Sequence, residues 1–93
     1  MTTRKIIRKK FTFAGSVQGV GFRYRAYHIA NELSLTGWVH NEWDGTVTME
    51  VQGEESSIEE MINRIQHRTF NFIDKIESQI LLPDETERSF EIR

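Results

Sequence analysis

Between residues 15 and 23 the chain reads Gly15-Ser16-Val17-Gln18-Gly19-Val20-Gly21-Phe22-Arg23, three glycines in seven positions closed by an arginine. Alternating apolar residues precede this stretch and helically spaced ones follow it, so it is a loop running from a strand into a helix N-terminus. The first amides of a helix have no intrahelical acceptor and favour an anion. Glycines let the backbone close around such an anion. A guanidinium adds a planar fork matched to two phosphate oxygens. Gly15, Ser16, Val17, Gln18, Gly19, Val20, Gly21 and Phe22 therefore form a candidate cradle for a phosphate-like group, with Arg23 as its cation.

The flanking elements follow from periodicity. Ile7, Phe11 and Phe13 alternate with Arg8, Lys10 and Thr12, which predicts a half-buried strand ending at Ala14-Gly15, with Lys9 the exception to the pattern. Phe22, Ala26, Ile29, Ala30 and Leu33 make one apolar face of a helix, with Arg25, His28 and Glu32 facing outward. Arg23 then falls in the first helical turn. Trp38 to Asn41 and Val47 to Val51 read as paired strands around an Asp44-Gly45 turn. Val39 and Asn41 share one face of their strand. Ser57-Ile58-Glu59-Glu60 has the form of a capping box, followed by Ile58, Met61, Ile62 and Ile65 at helical spacing, and Arg64, His67 and Arg68 suit a helix C-terminus. Ile76 to Leu82 predicts a fourth strand closed by Pro83, and Phe90 with Ile92 a short last one. The expected fold is α+β: a ferredoxin-like β-α-β-β-α-β sandwich, one mainly antiparallel sheet with two helices on one face and a short C-terminal strand.

The loop resembles that of the acylphosphatases, Gly-x-Val-Gln-Gly-Val-x-Phe-Arg, with Gly15, Val17, Gln18, Gly19, Val20, Phe22 and Arg23 at every specified position. A second signature of that family, Gly-Trp-Val-x-Asn-x-x-Asp-Gly-x-Val, is matched by Gly37-Trp38-Val39-His40-Asn41-Glu42-Trp43-Asp44-Gly45-Thr46-Val47. The resemblance spans about Phe11 to Gly53, with weaker agreement at Phe90-Glu91-Ile92. It implies hydrolysis of a small-molecule acyl phosphate to carboxylate and inorganic phosphate, with Arg23 on the phosphoryl group and Asn41 on the attacking water. That pairing fits phosphoryl transfer, which asks mainly for positioning and charge stabilisation. An amide cannot take the water's proton, but it can hold a water through its carbonyl oxygen. The substrate phosphate is the expected base, with no metal and no other cofactor. Three departures from the family pattern keep an inactive anion-binding or interaction module as an alternative: Ala26 for a threonine, Ser34 for a glycine, and Asn71-Phe72 for proline and small residues.

Other loop chemistries fail. Gly19-Val20-Gly21-Phe22-Arg23 lacks the third glycine of a dinucleotide fingerprint and the Lys-Ser/Thr of a P-loop, and Ala14 breaks a Gly-x-Ser-x-Gly frame around Ser16. Gln18-Gly19-Val20-Gly21-Phe22 echoes an RNA-binding motif and leaves an RNA-binding ferredoxin-like domain as a second alternative, although Val20 and Arg25 stand where stacking aromatics belong and the segment follows the wrong strand. Trp38 and Trp43 are expected to pack, and His28, His40 and His67 lack metal-ligand spacing.

Ninety-three residues, 38% of them hydrophobic, with ten aromatics and a single proline, predict one domain over 1–93. No apolar run approaches the ~20 residues of a membrane span, and no signal peptide is evident. The absence of cysteine removes disulfides and thiolate chemistry. A cytoplasmic monomer is expected, without nucleic-acid or membrane partners. The net charge of −2 agrees with that, and the basic cluster Arg4, Lys5, Arg8, Lys9 and Lys10 reads as a solvated strand end.

Overall fold

The alternation of Ile7–Phe13 becomes β1 (Ile6–Gly15), and the helical spacing after the loop becomes α1 (Phe22–Glu32), in a computed structural model that describes residues 5–69 and 72–93. Then come β2 (Thr36–Asn41), β3 (Val47–Glu54), α2 (Glu55–Thr69), β4 (Ile73–Leu81) and β5 (Phe90–Ile92). The five strands form one sheet in the order β4-β1-β3-β2-β5. All pairings are antiparallel except β2 with β5, which run parallel. This is the ferredoxin-like α+β architecture that the sequence predicts.

Strand parity decides which face is buried. Phe11 pairs with Met49 and Phe13 with Val47, and Val39 pairs with Met49 from the other side. These residues share one face and pack against Phe22, Ala26, Ile29 and Ala30 of α1 and Ile58, Met61 and Ile65 of α2 in a single hydrophobic cluster. Both helices therefore cover the same face. Phe13 and Met49 are wholly buried, and side chains of that size contribute about 1.5–3 kcal/mol each. At Gly37, where β2 lies between β3 and β5, an added Cβ would sit 1.9 Å from the carbonyl oxygen of Glu50. Only glycine allows that approach.

The opposite face of the sheet holds a charged clamp. Arg8 is only 5% exposed. Its guanidinium donates to both carboxylate oxygens of Glu87, at 2.8 and 3.1 Å, and from Nε to Glu50 at 3.0 Å. The Glu87 hydrogen bond, and then that of Glu50, raises the arginine's pKa against the cost of burial. Gln52 adds two bonds to the backbone of Asp84, at 2.9 and 2.7 Å. Together they fold the segment before β5 back onto the sheet, which brings β5 alongside β2. Arg8 is thus a buried clamp, in contrast to the solvated strand end expected of the basic cluster. Arg4 lies outside the described residues, as do the Arg68 side chain and Asn71.

Two further expectations change. The helix α2 begins at Glu55, so Ser57 lies within its first turn and the capping-box register does not set the start. The reason is topological: β3 pairs through Glu54 and passes into the helix with no loop residue left to act as a cap. Glu55 favours the helix dipole at that position. Trp43, expected to pack, is 97% exposed at the tip of the β2–β3 hairpin.

Candidate active site

The loop is shaped by its left-handed glycines. Gly19 and Gly21 have φ of 76° and 78°, and a Cβ at either would meet nothing within 4 Å. Backbone conformation, and not lack of space, demands glycine there. Gly21 is the N-cap of α1, without a side-chain cap, and the first intrahelical donor is the Arg25 N–H, 3.0 Å from the Gly21 carbonyl oxygen. The N–H groups of Phe22, Arg23 and Tyr24 precede that bond and end the helix as an anion site. Gly15 has another task. It ends β1 against β4, where a Cβ would lie 2.3 Å from the Phe72 carbonyl oxygen.

A cavity of about 230 Å³ opens at this helix end. Val17, Gly19, Gly21, Phe22, Arg23 and Tyr24 form its loop and helix side, and Asn41 and Ile92 stand across from them. Gly15, Ser16, Gln18 and Val20 do not line it. Val17 and Phe22 are buried in the core and anchor the loop from below. Arg23 is half-buried, and its Nη1 donates to the backbone carbonyl oxygen of Arg93 at 2.7 Å, which holds the guanidinium at the mouth. Asn41 ends β2 on the helix-covered face, opposite Val47 of β3. Its Oδ1 is buried and has no hydrogen-bond partner among the described residues. A buried carbonyl oxygen left this way costs about 1–3 kcal/mol, and a water donating to it removes that cost.

The hairpin that carries Asn41 is closed by its own turn. The Thr46 N–H and hydroxyl both donate to the Asp44 carboxylate, at 3.0 and 2.7 Å, and the side-chain bond leads in holding that carboxyl below its usual range. The Gln18 side chain joins the same turn from the loop, donating 2.6 Å to the Glu42 carbonyl oxygen and 2.9 Å to that of Thr46. Nothing in the sequence pattern gave the direction of that side chain.

A larger groove of about 530 Å³ runs between α1 and α2, lined by Arg25, His28, Arg64 and His67 among others. It is not the better site, because Arg64 is already paired with Glu60 and Glu32, at 2.9 and 3.1 Å. Among the described residues no group of three or more His, Cys, Asp or Glu is placed to hold a metal. Ala26 is fully buried in the core and does not line the smaller cavity. On the open face of the sheet β1 and β3 carry Arg8, Lys10 and Thr12 opposite Gln52, Glu50 and Thr48, and Trp38 of β2 lies beside Glu50 with the Arg93 guanidinium 5.1 Å from its ring centroid.

The fold is a ferredoxin-like sandwich with a glycine-rich loop between its first strand and helix, the architecture of the acylphosphatase structures it resembles. The family model for acylphosphatases matches residues 9–92, and the chain belongs to that family. It is 43% identical over 86 residues to an acylphosphatase of Clostridium perfringens, covering 91% of this chain and 97% of the relative. Among solved structures it is similar to acylphosphatase from Bacillus subtilis (TM-score 0.83, 27% identity, 94% of this chain and 98% of that one). It also resembles an acylphosphatase from Coxiella burnetii, with a TM-score of 0.81 and 28% identity over the whole of both chains.

Proposed function

We propose that this chain hydrolyses acyl phosphates by direct attack of a water, oriented by Asn41, on a phosphoryl group held by the loop and Arg23. The observation that carries the reading is the buried, unpartnered Oδ1 of Asn41 in the same cavity as Arg23 and the loop glycines. The amides of the loop and the first turn of α1 bind the phosphoryl oxygens, and Arg23 adds a cation as charge spreads over them in the transition state. A water donating to Asn41 Oδ1 attacks phosphorus. The bond from phosphorus to the acyl oxygen breaks, and its electron pair leaves on the carboxylate. The water's proton passes to a phosphate oxygen of the substrate. A carboxylate is a good leaving group, so no general acid has to be supplied.

Rates with benzoyl phosphate for the wild type, Arg23→Ala and Asn41→Ala test this assignment. Both variants, with folding confirmed by circular dichroism, are expected to lose at least about 100-fold in kcat/KM. Arg23→Ala should also weaken inhibition by inorganic phosphate, and Asn41→Ala should leave it nearly intact. Substantial turnover by folded Asn41→Ala would refute the role given to the amide.

A further inference from the structure

The chemistry above uses the loop backbone, Arg23 and Asn41, and leaves the side chain of Gln18 without a task. We infer that Gln18 is a positioning residue that fixes the separation between the phosphate loop and the water-holding amide of Asn41. This rests on the proposed hydrolysis and deepens it.

Gln18 is half-buried and does not line the cavity. Its amide spends two donors on the β2–β3 turn, at 2.6 Å to the Glu42 carbonyl oxygen and 2.9 Å to that of Thr46. The same two carbonyls close the turn internally, accepting from the Gly45 and Glu42 N–H groups at 3.2 and 2.8 Å. Glu42 directly follows Asn41, and Thr46 directly precedes Val47, the partner of Asn41 in the sheet. One side chain therefore grips both ends of the turn at the position where Asn41 leaves the strand. Among the described residues this is the one hydrogen-bonded link between loop and hairpin. Without it, loop and hairpin are connected through β1 and β3 and by packing alone.

The two halves of the site lie on opposite sides of this link. The phosphoryl group is held by the loop and Arg23, and the water by Asn41. Removing the link shifts water relative to phosphorus and leaves the grip on phosphate in place. Reacting atoms misplaced by about 1 Å lose on the order of 100-fold in rate. The acceptors are carbonyls, so only a donor serves; glutamate has the right shape and the wrong chemistry.

Gln18→Met keeps a side chain of similar length and removes both donors, and Gln18→Glu turns a carboxylate toward two carbonyls. The measurements are kcat with benzoyl phosphate and the inhibition constant of inorganic phosphate, on variants whose circular dichroism matches the wild type. The expected result is a fall in kcat of about 10- to 100-fold, with the phosphate constant within about twofold of wild type. A phosphate constant that weakens in step with the lost kcat/KM would put Gln18 in the cradle itself and overturn the inference. Unchanged kcat would overturn it as well. Failure of both variants to fold would make Gln18 a structural residue with no separate positioning role, which also refutes it. A wild type inert toward benzoyl phosphate refutes the proposed function, and this inference with it; an active wild type with an equally active Gln18→Met refutes this inference alone.

Discussion

Ser34 has a φ of 57° and is the one non-glycine residue in the left-handed region among those described. It follows the C-cap of α1, Leu33. The Leu35 N–H donates to the Ala30 carbonyl oxygen at 2.8 Å and the Ser34 N–H to that of Asn31 at 3.3 Å. These are the two bonds of a Schellman motif, which requires a left-handed residue at Ser34. An L side chain there costs about 1–2 kcal/mol. Glycine removes that strain and loses about 0.5–1 kcal/mol through its greater freedom in the unfolded chain. No hydrogen bond of the Ser34 hydroxyl among the described residues offsets the exchange. Ser34→Gly should therefore stabilise by about 0.5–1 kcal/mol, a rise in Tm of about 2–8 °C for a domain of this size. Thermal unfolding followed by circular dichroism reads this out in a series. Ser34→Gly should melt highest, Ser34→Asn next, because a short amide tolerates this conformation, and Ser34→Val below wild type. Turnover should not change, since Ser34 lies at the end of α1 remote from the cavity. A glycine variant that melts at or below wild type would refute the strain argument.

Two further outcomes follow from the charged groups. Arg8→Met leaves the carboxylates of Glu87 and Glu50 partly buried without their cation, so stability should fall by about 2–4 kcal/mol. Urea unfolding checks this, and a midpoint equal to wild type at unchanged m would contradict it. The Asp44 carboxyl is held below its ordinary value of 3.8, first by the Thr46 hydroxyl and then by the Thr46 amide. A depressed folded-state pKa stabilises above the unfolded value and loses that contribution as pH falls through the folded one. Wild type and Asp44→Asn should thus run parallel in urea midpoint from neutral pH down to about 4 and converge below it. Curves still parallel at about pH 2 would show that the Asp44 carboxylate does not act through ionisation.

The loop was legible because its chemistry is local. Glycines demanded by φ and an arginine in the first turn of a helix are adjacent in sequence, and the family signature covers both. Asn41 was legible through that signature and through strand parity, which put it on the same face as Val39. The left-handed bend at Ser34 was readable too, from a glycine the family would place there. What could not be read are contacts set by folding at long range. Arg8 reaches Glu50 and Glu87, 42 and 79 residues away, and only the return of the segment before β5 makes it a clamp. The direction of Gln18 depends on the hairpin 24 residues on. The start of α2 was misread because a capping pattern presupposes a loop, and none separates β3 from the helix. Trp43 was misread because its large apolar side chain suggested packing, while its place at the tip of a hairpin leaves it nothing to pack on.

The proposed mechanism has water attack phosphorus, and turnover of benzoyl phosphate in water enriched in oxygen-18 reports the atom attacked. The label is expected in inorganic phosphate, with unlabelled benzoate. Label in the benzoate would place attack at the carbonyl carbon and contradict the proposed attack of the Asn41-held water on phosphorus.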